Sequence, residues 1–136
     1  MEQGTESSTE QQEPEFEADG GIARGMRTLA RNGTVTIAGG QLTLSKGKGD
    51  VIVEAPLSEV RAERAGGLLA GASAKVTIGN DTYTVGPRRV HRVAPDRLGS
   101  YAGNLARDIK RLKQGRELTQ LLLAAIKANG GQVTGD

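Results

Sequence analysis

From Thr34 to Gly86 apolar residues return at every second position between glycine-bearing turns, and a chain patterned this way can bury one face only as β-sheet. "TVTIA" points Val35 and Ile37 to one side, "GG" at Gly39–Gly40 supplies a tight turn, and "QLTLS" sets Leu42 beside Leu44. "DVIVEA" then places Val51 with Val53. "PLSEVRAER" opens on a proline suited to a strand boundary and carries Val60 and Ala62. "AKVTIG" and "TYTVG" make a further hairpin around "GND", with Val76 and Ile78 facing Tyr83 and Val85, and "RRVHRVA" is a weaker seventh candidate. Six or seven short strands joined by Gly, Asn and Asp turns argue for an antiparallel barrel or sandwich.

Beyond residue 94 the period lengthens. "PDRLGSYAGNLARDIKRLKQ" puts Leu98, Tyr101, Leu105, Ile109 and Leu112 on one helical stripe, with Asp96 or Ser100 as its cap. Gly115 interrupts the pattern, and "RELTQLLLAAIKANGG" resumes it with Leu118, Leu121, Leu122, Ala125 and Ile126 before Gly130 stops it. One kinked amphipathic helix or two both fit. Unbroken, such a helix would be about 45 Å long, more than a small barrel can cover. Leu118, Leu121, Leu122 and Ile126 are therefore the expected surface for a partner or a second copy of the chain.

The first 20 residues carry seven acids and no Lys or Arg, and they lack apolar periodicity. Residues 1–20 are expected to form a disordered acidic tail, either solubilising or competing with an anionic ligand. In "GIARGMRTLARNG", Ile22, Met26 and Leu29 fall at helical spacing among Arg24, Arg27 and Arg31, which predicts a short basic amphipathic helix over residues 21–33, either lying on a membrane or, more often for such segments, packing its few apolar residues onto the domain. Residues 34–129 then form the folded domain. Setting the tail aside leaves nine acids against 18 Lys and Arg, so the body is basic and attracts polyanions: nucleic acid, anionic lipid or its own tail.

The phrasing "VTIAGGQLTLS…GDVIVEAPLSEVRAER", the later pair "KVTIGNDTYTVG" and the helix that follows resemble the pleckstrin-homology-like superfold, bacterial PH and GRAM domains included. The likeness spans about residues 34–113 and lies in pattern, not in diagnostic residues. It implies a barrel or sandwich closed by the C-terminal helix, and a non-catalytic module that binds phosphoinositides, peptides or partner domains. Lys46 and Lys48 of "KGKGD" take the place of the basic loop in lipid-binding members. The strand after them, Val51 to Glu54, offers no basic residue, so the loop reads first as a flexible, soluble turn.

Enzyme chemistry finds no motif. The chain has no cysteine, which removes disulfides, thiolate metal sites and cysteine nucleophiles and fits a reducing compartment. His91 is the single histidine and has no metal-binding context. Gly66 and Gly71 of "GGLLAGAS" have the spacing of a phosphate-binding loop, but Ala72 stands where its lysine must be. That leaves a loop displaying Leu68 and Leu69. No catalytic residue, metal or cofactor is assigned.

The strongest basic feature is "RRVHR", with Arg88, Arg89 and Arg92. The expected work is non-catalytic binding of a protein partner, with self-association through the C-terminal helix. The alternative is peripheral binding to anionic membrane through Lys46, Lys48, Arg88, Arg89 and Arg92. Nonspecific nucleic-acid binding comes third, since stacking aromatics are scarce. The longest apolar run, "LLLAAI", is far short of the ~20 residues of a span, and no signal-peptide pattern opens the chain. A cytoplasmic location, peripheral to the inner membrane face, is the expectation.

Overall fold

The computed structural model describes residues 14–47, 49–65, 72–94, 98, 102, 103, 107 and 115–134. The chain is mainly β, an eight-stranded sheet curled into a half-barrel, with one C-terminal helix among the described elements. The strands are β1 (Phe16–Arg24), β2 (Arg27–Ala38), β3 (Gln41–Ser45), β4 (Val51–Pro56), β5 (Val60–Arg64), β6 (Ala74–Ile78) and β7 (Asp81–Val93). Helix α1 (Gly115–Ala128) and β8 (Gln132–Thr134) follow. The sheet order is β4-β3-β2-β1-β7-β6-β5-β8. Two meanders thus share a central β1–β7 pair, and β8 adds to β5 in parallel.

The alternation from Thr34 onward holds in β2, β3, β6 and β7, where Val35, Ile37, Leu42, Leu44, Val76 and Val85 are all buried. In β4 it does not: Val51, expected inward with Val53, is 54 % exposed and Val53 only half-buried, because the register shift between Leu44 and Ser45 turns the start of the strand outward. The N-terminal reading needs correction. Residues 16–20, expected within the tail, belong to the central strand β1, where Phe16, Ala18, Gly20 and Ile22 face inward and Glu17 and Asp19 outward. Residues 1–13 of the expected tail lie outside the described residues. The segment 21–33, expected as a helix, is instead the end of β1, a turn at Gly25–Met26 and the first half of β2. Its helical spacing was carried by only three apolar residues. Pairing of β1 with both β2 and β7 satisfies the backbone on two sides, which a short glycine-interrupted helix cannot match.

A row of glycines decides the curl. Gly20 stands opposite Gly33 on β2 and Pro87 on β7, and Gly21 opposite Gly86. A Cβ on Gly20 would lie 2.1 Å from the Gly86 carbonyl oxygen, and one on Gly33 would lie 2.6 Å from that of Ser45. Register shifts flank the same point on both sides of β1. Bulges bend a strand and sharpen its twist, and glycine lets the backbones close up where that happens.

Helix α1 lies across β7, β5 and β8. Leu118, Leu121, Leu122 and Ile126 are each at most 1 % exposed, and Leu123 and Ala125 are buried beside them. The expectation that these leucines and Ile126 form a self-association surface is therefore corrected: a single chain already encloses them, because most of the helix circumference is covered. Of the stripe expected upstream, Tyr101, Leu105, Ile109 and Leu112 lie outside the described residues; Leu98 is half-buried against the core. The helix stops as its glycines suggested. Gly130 has φ +110°, its N–H reaches the Lys127 carbonyl, and Gly131 donates to Ile126 at 2.9 Å. Arg64 of β5 donates to the side-chain oxygen of Gln120, tying helix to sheet.

Thr119 is fully buried with no hydrogen-bond partner for its Oγ1 among the described residues. An unpartnered buried hydroxyl costs about 1–3 kcal/mol, and valine keeps the shape without the polar atom. Thr119→Val is expected to raise the unfolding free energy by about 1 kcal/mol, and the denaturation midpoint with it. A lowered midpoint would show that the hydroxyl has a partner.

Candidate functional site

Registers show which turns share an end of the half-barrel. Ser45, the last residue of β3, lies opposite Thr34, so the β3–β4 turn stands level with Gly33. β2 continues beyond that level from Asn32 to Arg27, a further reach of about 20 Å at strand rise. Along this reach β1 remains paired to β7 as far as Arg24 opposite Tyr83, and the Gly79–Asn80 turn lies at the same end. The β1–β2 hairpin therefore projects past β3 as the tip of a twisted ribbon.

At that tip Arg24 pairs with Arg27 around a two-residue turn, with Gly25 at φ +63° in the position where only glycine turns without strain. Met26 beside it is 103 % exposed. Among the described residues it and Val51 are the exposed large hydrophobics. Arg24 and Arg27 flank Met26, Arg31 lies four residues beyond Arg27 on β2, and all three are exposed. Arg88 joins them, because its guanidinium donates to the Arg31 carbonyl oxygen. From Gly20 to Gly49 the sequence contains no acid. The hairpin is thus a cationic ribbon with an apolar point.

The expected basic residues divide. Arg88 belongs to the hairpin. Arg89 lies opposite Asp19 and Arg92 opposite Glu17 on the outer face of β1. His91 Nε2 stands 2.7 Å from Asp19 Oδ2, and Thr34 donates to Asp19 Oδ1 at 3.3 Å. Lys46 is exposed in a closed turn, its N–H reaching the Asp50 carbonyl at 2.8 Å, at the base of the hairpin. Lys48 and the loop leucines Leu68 and Leu69 lie outside the described residues. Arg24, Met26, Arg27 and Arg31 were missed as a site because the segment was read as a helix; "ARGMRT", a glycine turn between two arginines, was the available signal.

A shallow cleft of about 180 Å³ lies elsewhere, over β5, β6 and β8, lined by Arg61, Glu63, Lys75, Thr77 and Thr134. It is smaller than the ~300 Å³ at which small-molecule pockets begin; Glu63 stands opposite Lys75 in strand register and accepts from Thr134. Among the described residues no group of three His, Cys, Asp or Glu is placed to hold a metal ion, and no helix is long and apolar enough to cross a membrane. Comparison with known proteins finds no matching family model, no matching curated protein and no matching solved structure.

Proposed function

We propose that the chain is a non-catalytic binding module of pleckstrin-homology-like architecture that attaches to anionic membrane surfaces through its β1–β2 hairpin. The strand order supports the architecture: two meanders joined at β1–β7, followed by a C-terminal helix packed on the sheet, with β8 as an addition. The observation that carries the binding reading is Met26, fully exposed at the tip of a hairpin that has exposed arginines and no acid of its own, with Asp81 of the neighbouring β7 an acid at that end. A soluble surface gains nothing from an exposed methionine there, whereas a bilayer receives the apolar point below its headgroups and the arginines at phosphate level.

Magnitudes agree with reversible attachment. A basic residue near an anionic leaflet contributes about 1 kcal/mol, and partial burial of a methionine about 1.5 kcal/mol. Four arginines and Met26 give roughly 5 kcal/mol, a partition constant on the order of 10⁴ M⁻¹.

Sedimentation with phosphatidylserine-containing vesicles at low salt is expected to exceed that with phosphatidylcholine alone. Arg24→Ala/Arg27→Ala should lower it by about 30-fold, and Met26→Asp by at least about tenfold. Equal sedimentation with the two vesicle types would overturn the reading. Arginine-dependent binding to DNA that is indifferent to Met26→Asp would assign the ribbon to nucleic acid instead.

A further inference from the structure

Sulfur is scarce in this chain: it has two methionines, Met1 and Met26, and no cysteine. Met26 stands fully exposed at the hairpin tip, where insertion depends on its thioether being apolar. We infer that Met26 is an oxidation site, and that its conversion to the sulfoxide by a hydroperoxide releases the hairpin from the bilayer. The release rests on the membrane reading above; the oxidation does not.

Exposure decides which side chains an aqueous oxidant reaches. Among the described residues Phe16 and Tyr83 are buried, and the ring of His91 is bonded to Asp19. No thiol competes for the oxidant. The step transfers one oxygen atom. A sulfur lone pair attacks one peroxide oxygen, the S–O bond forms as the O–O bond breaks, and the proton of the attacked oxygen passes to the departing one. With hydrogen peroxide the departing group is water. The sulfur is oxidised by two electrons and the peroxide is reduced by the same two. A sulfoxide reductase that turns a dithiol into a disulfide reverses the step, and the sulfoxide oxygen leaves as water.

Position decides the consequence. The turn is shaped by Gly25 at φ +63°, and Met26 itself packs on nothing, so the added oxygen costs the fold no contact. What changes is polarity. A flexible apolar side chain becomes a polar one, and its new acceptor finds no donor below the headgroups. The charges of Arg24, Arg27, Arg31 and Arg88 stay as they were. Oxidation therefore removes the inserted half of the contact and spares the electrostatic half, so attachment persists only on a more strongly anionic leaflet. Binding protects in turn, because a thioether beneath the headgroups is withdrawn from aqueous peroxide.

Vesicle sedimentation before and after treatment with hydrogen peroxide tests this, with N-acetylmethionine added as a reference. Mass spectrometry should find one added oxygen on the peptide carrying Met26, at a rate close to that of the reference. Phosphatidylserine vesicles should slow it and leave the reference unchanged. Met26 unoxidised once the reference is consumed overturns the site. The oxidised chain should bind phosphatidylserine vesicles about tenfold more weakly, with the salt dependence of the parent. Its urea midpoint should match the parent's; a fall would make unfolding the cause and overturn the inference. Met26→Leu is apolar without sulfur, so its own affinity should not respond to peroxide, and a response would place the lesion elsewhere. Unchanged affinity of the oxidised parent, where Met26→Asp lowers it, overturns the release and leaves the membrane reading standing. Equal sedimentation of the untreated parent with the two vesicle types sinks that reading and the release with it, while the mass measurement still decides the oxidation site.

Discussion

Gly20→Ala is expected to leave the chain largely unfolded under conditions where the parent is folded. A methyl at this position would sit 2.1 Å from the Gly86 carbonyl oxygen and 2.8 Å from the Pro87 Cα, both backbone atoms of the strand paired to β1. Neither can swing aside as a side-chain tip would. Relief requires moving β1 away from β7 by nearly an ångström at the centre of the sheet. We expect a loss of at least about 4 kcal/mol, in the range reserved for gross steric or core damage and comparable with the total stability of many small domains. Gly25→Ala is the control. It has φ +63° and open space around it, so it should cost only about 1–2 kcal/mol. Urea denaturation followed by circular dichroism measures both; a Gly20→Ala midpoint within about 1 kcal/mol of the parent would remove the close approach as the cause of the curl.

The second large effect is at Leu122. Truncation to alanine should cost about 2–5 kcal/mol, the range for a fully buried leucine whose site relaxes only in part. Leu122→Glu should not fold, because a carboxylate would be enclosed within the buried apolar cluster. A self-association surface predicts otherwise: Leu122→Glu would dissociate an assembly and leave each chain folded. Circular dichroism and light scattering on the same samples separate the two. A folded, monomeric Leu122→Glu from an oligomeric parent would restore the interface reading, and a Leu122→Ala midpoint unchanged from the parent would remove Leu122 from the core.

Much of the sheet was legible because its signals are local. Val35, Ile37, Leu42 and Leu44 alternate without a break and are separated by the turn at Gly39–Gly40, whose two positive φ angles suit the twist of a hairpin. β1 was hidden for a physical reason. Its inward residues are Phe16, Ala18, Gly20 and Ile22, and two of the four are too small to register as hydrophobic, while Glu17 and Asp19 between them look like tail. Small residues are what the crowded β1–β7 contact demands, so the feature that makes β1 central also weakens its pattern. The site was hidden in turn, since "ARGMRT" becomes a hairpin tip only once β1 is a strand.

Periodicity, turn chemistry and the helix-ending glycine were properties of the sequence itself, because each depends on residues within a few positions of one another. From these alone came a mainly β domain with a C-terminal amphipathic helix, without cysteine chemistry and basic outside its first 20 residues. Tertiary structure decided the rest. It made a run of acids and glycines the middle of the sheet, enclosed the leucine stripe within one chain, and brought Arg88 to Arg31 on the hairpin whose tip carries Arg24, Arg27 and the exposed Met26. Those outcomes depend on pairs far apart in sequence, such as Gly20 with Gly86 and Arg31 with Arg88, whose meeting no local pattern encodes.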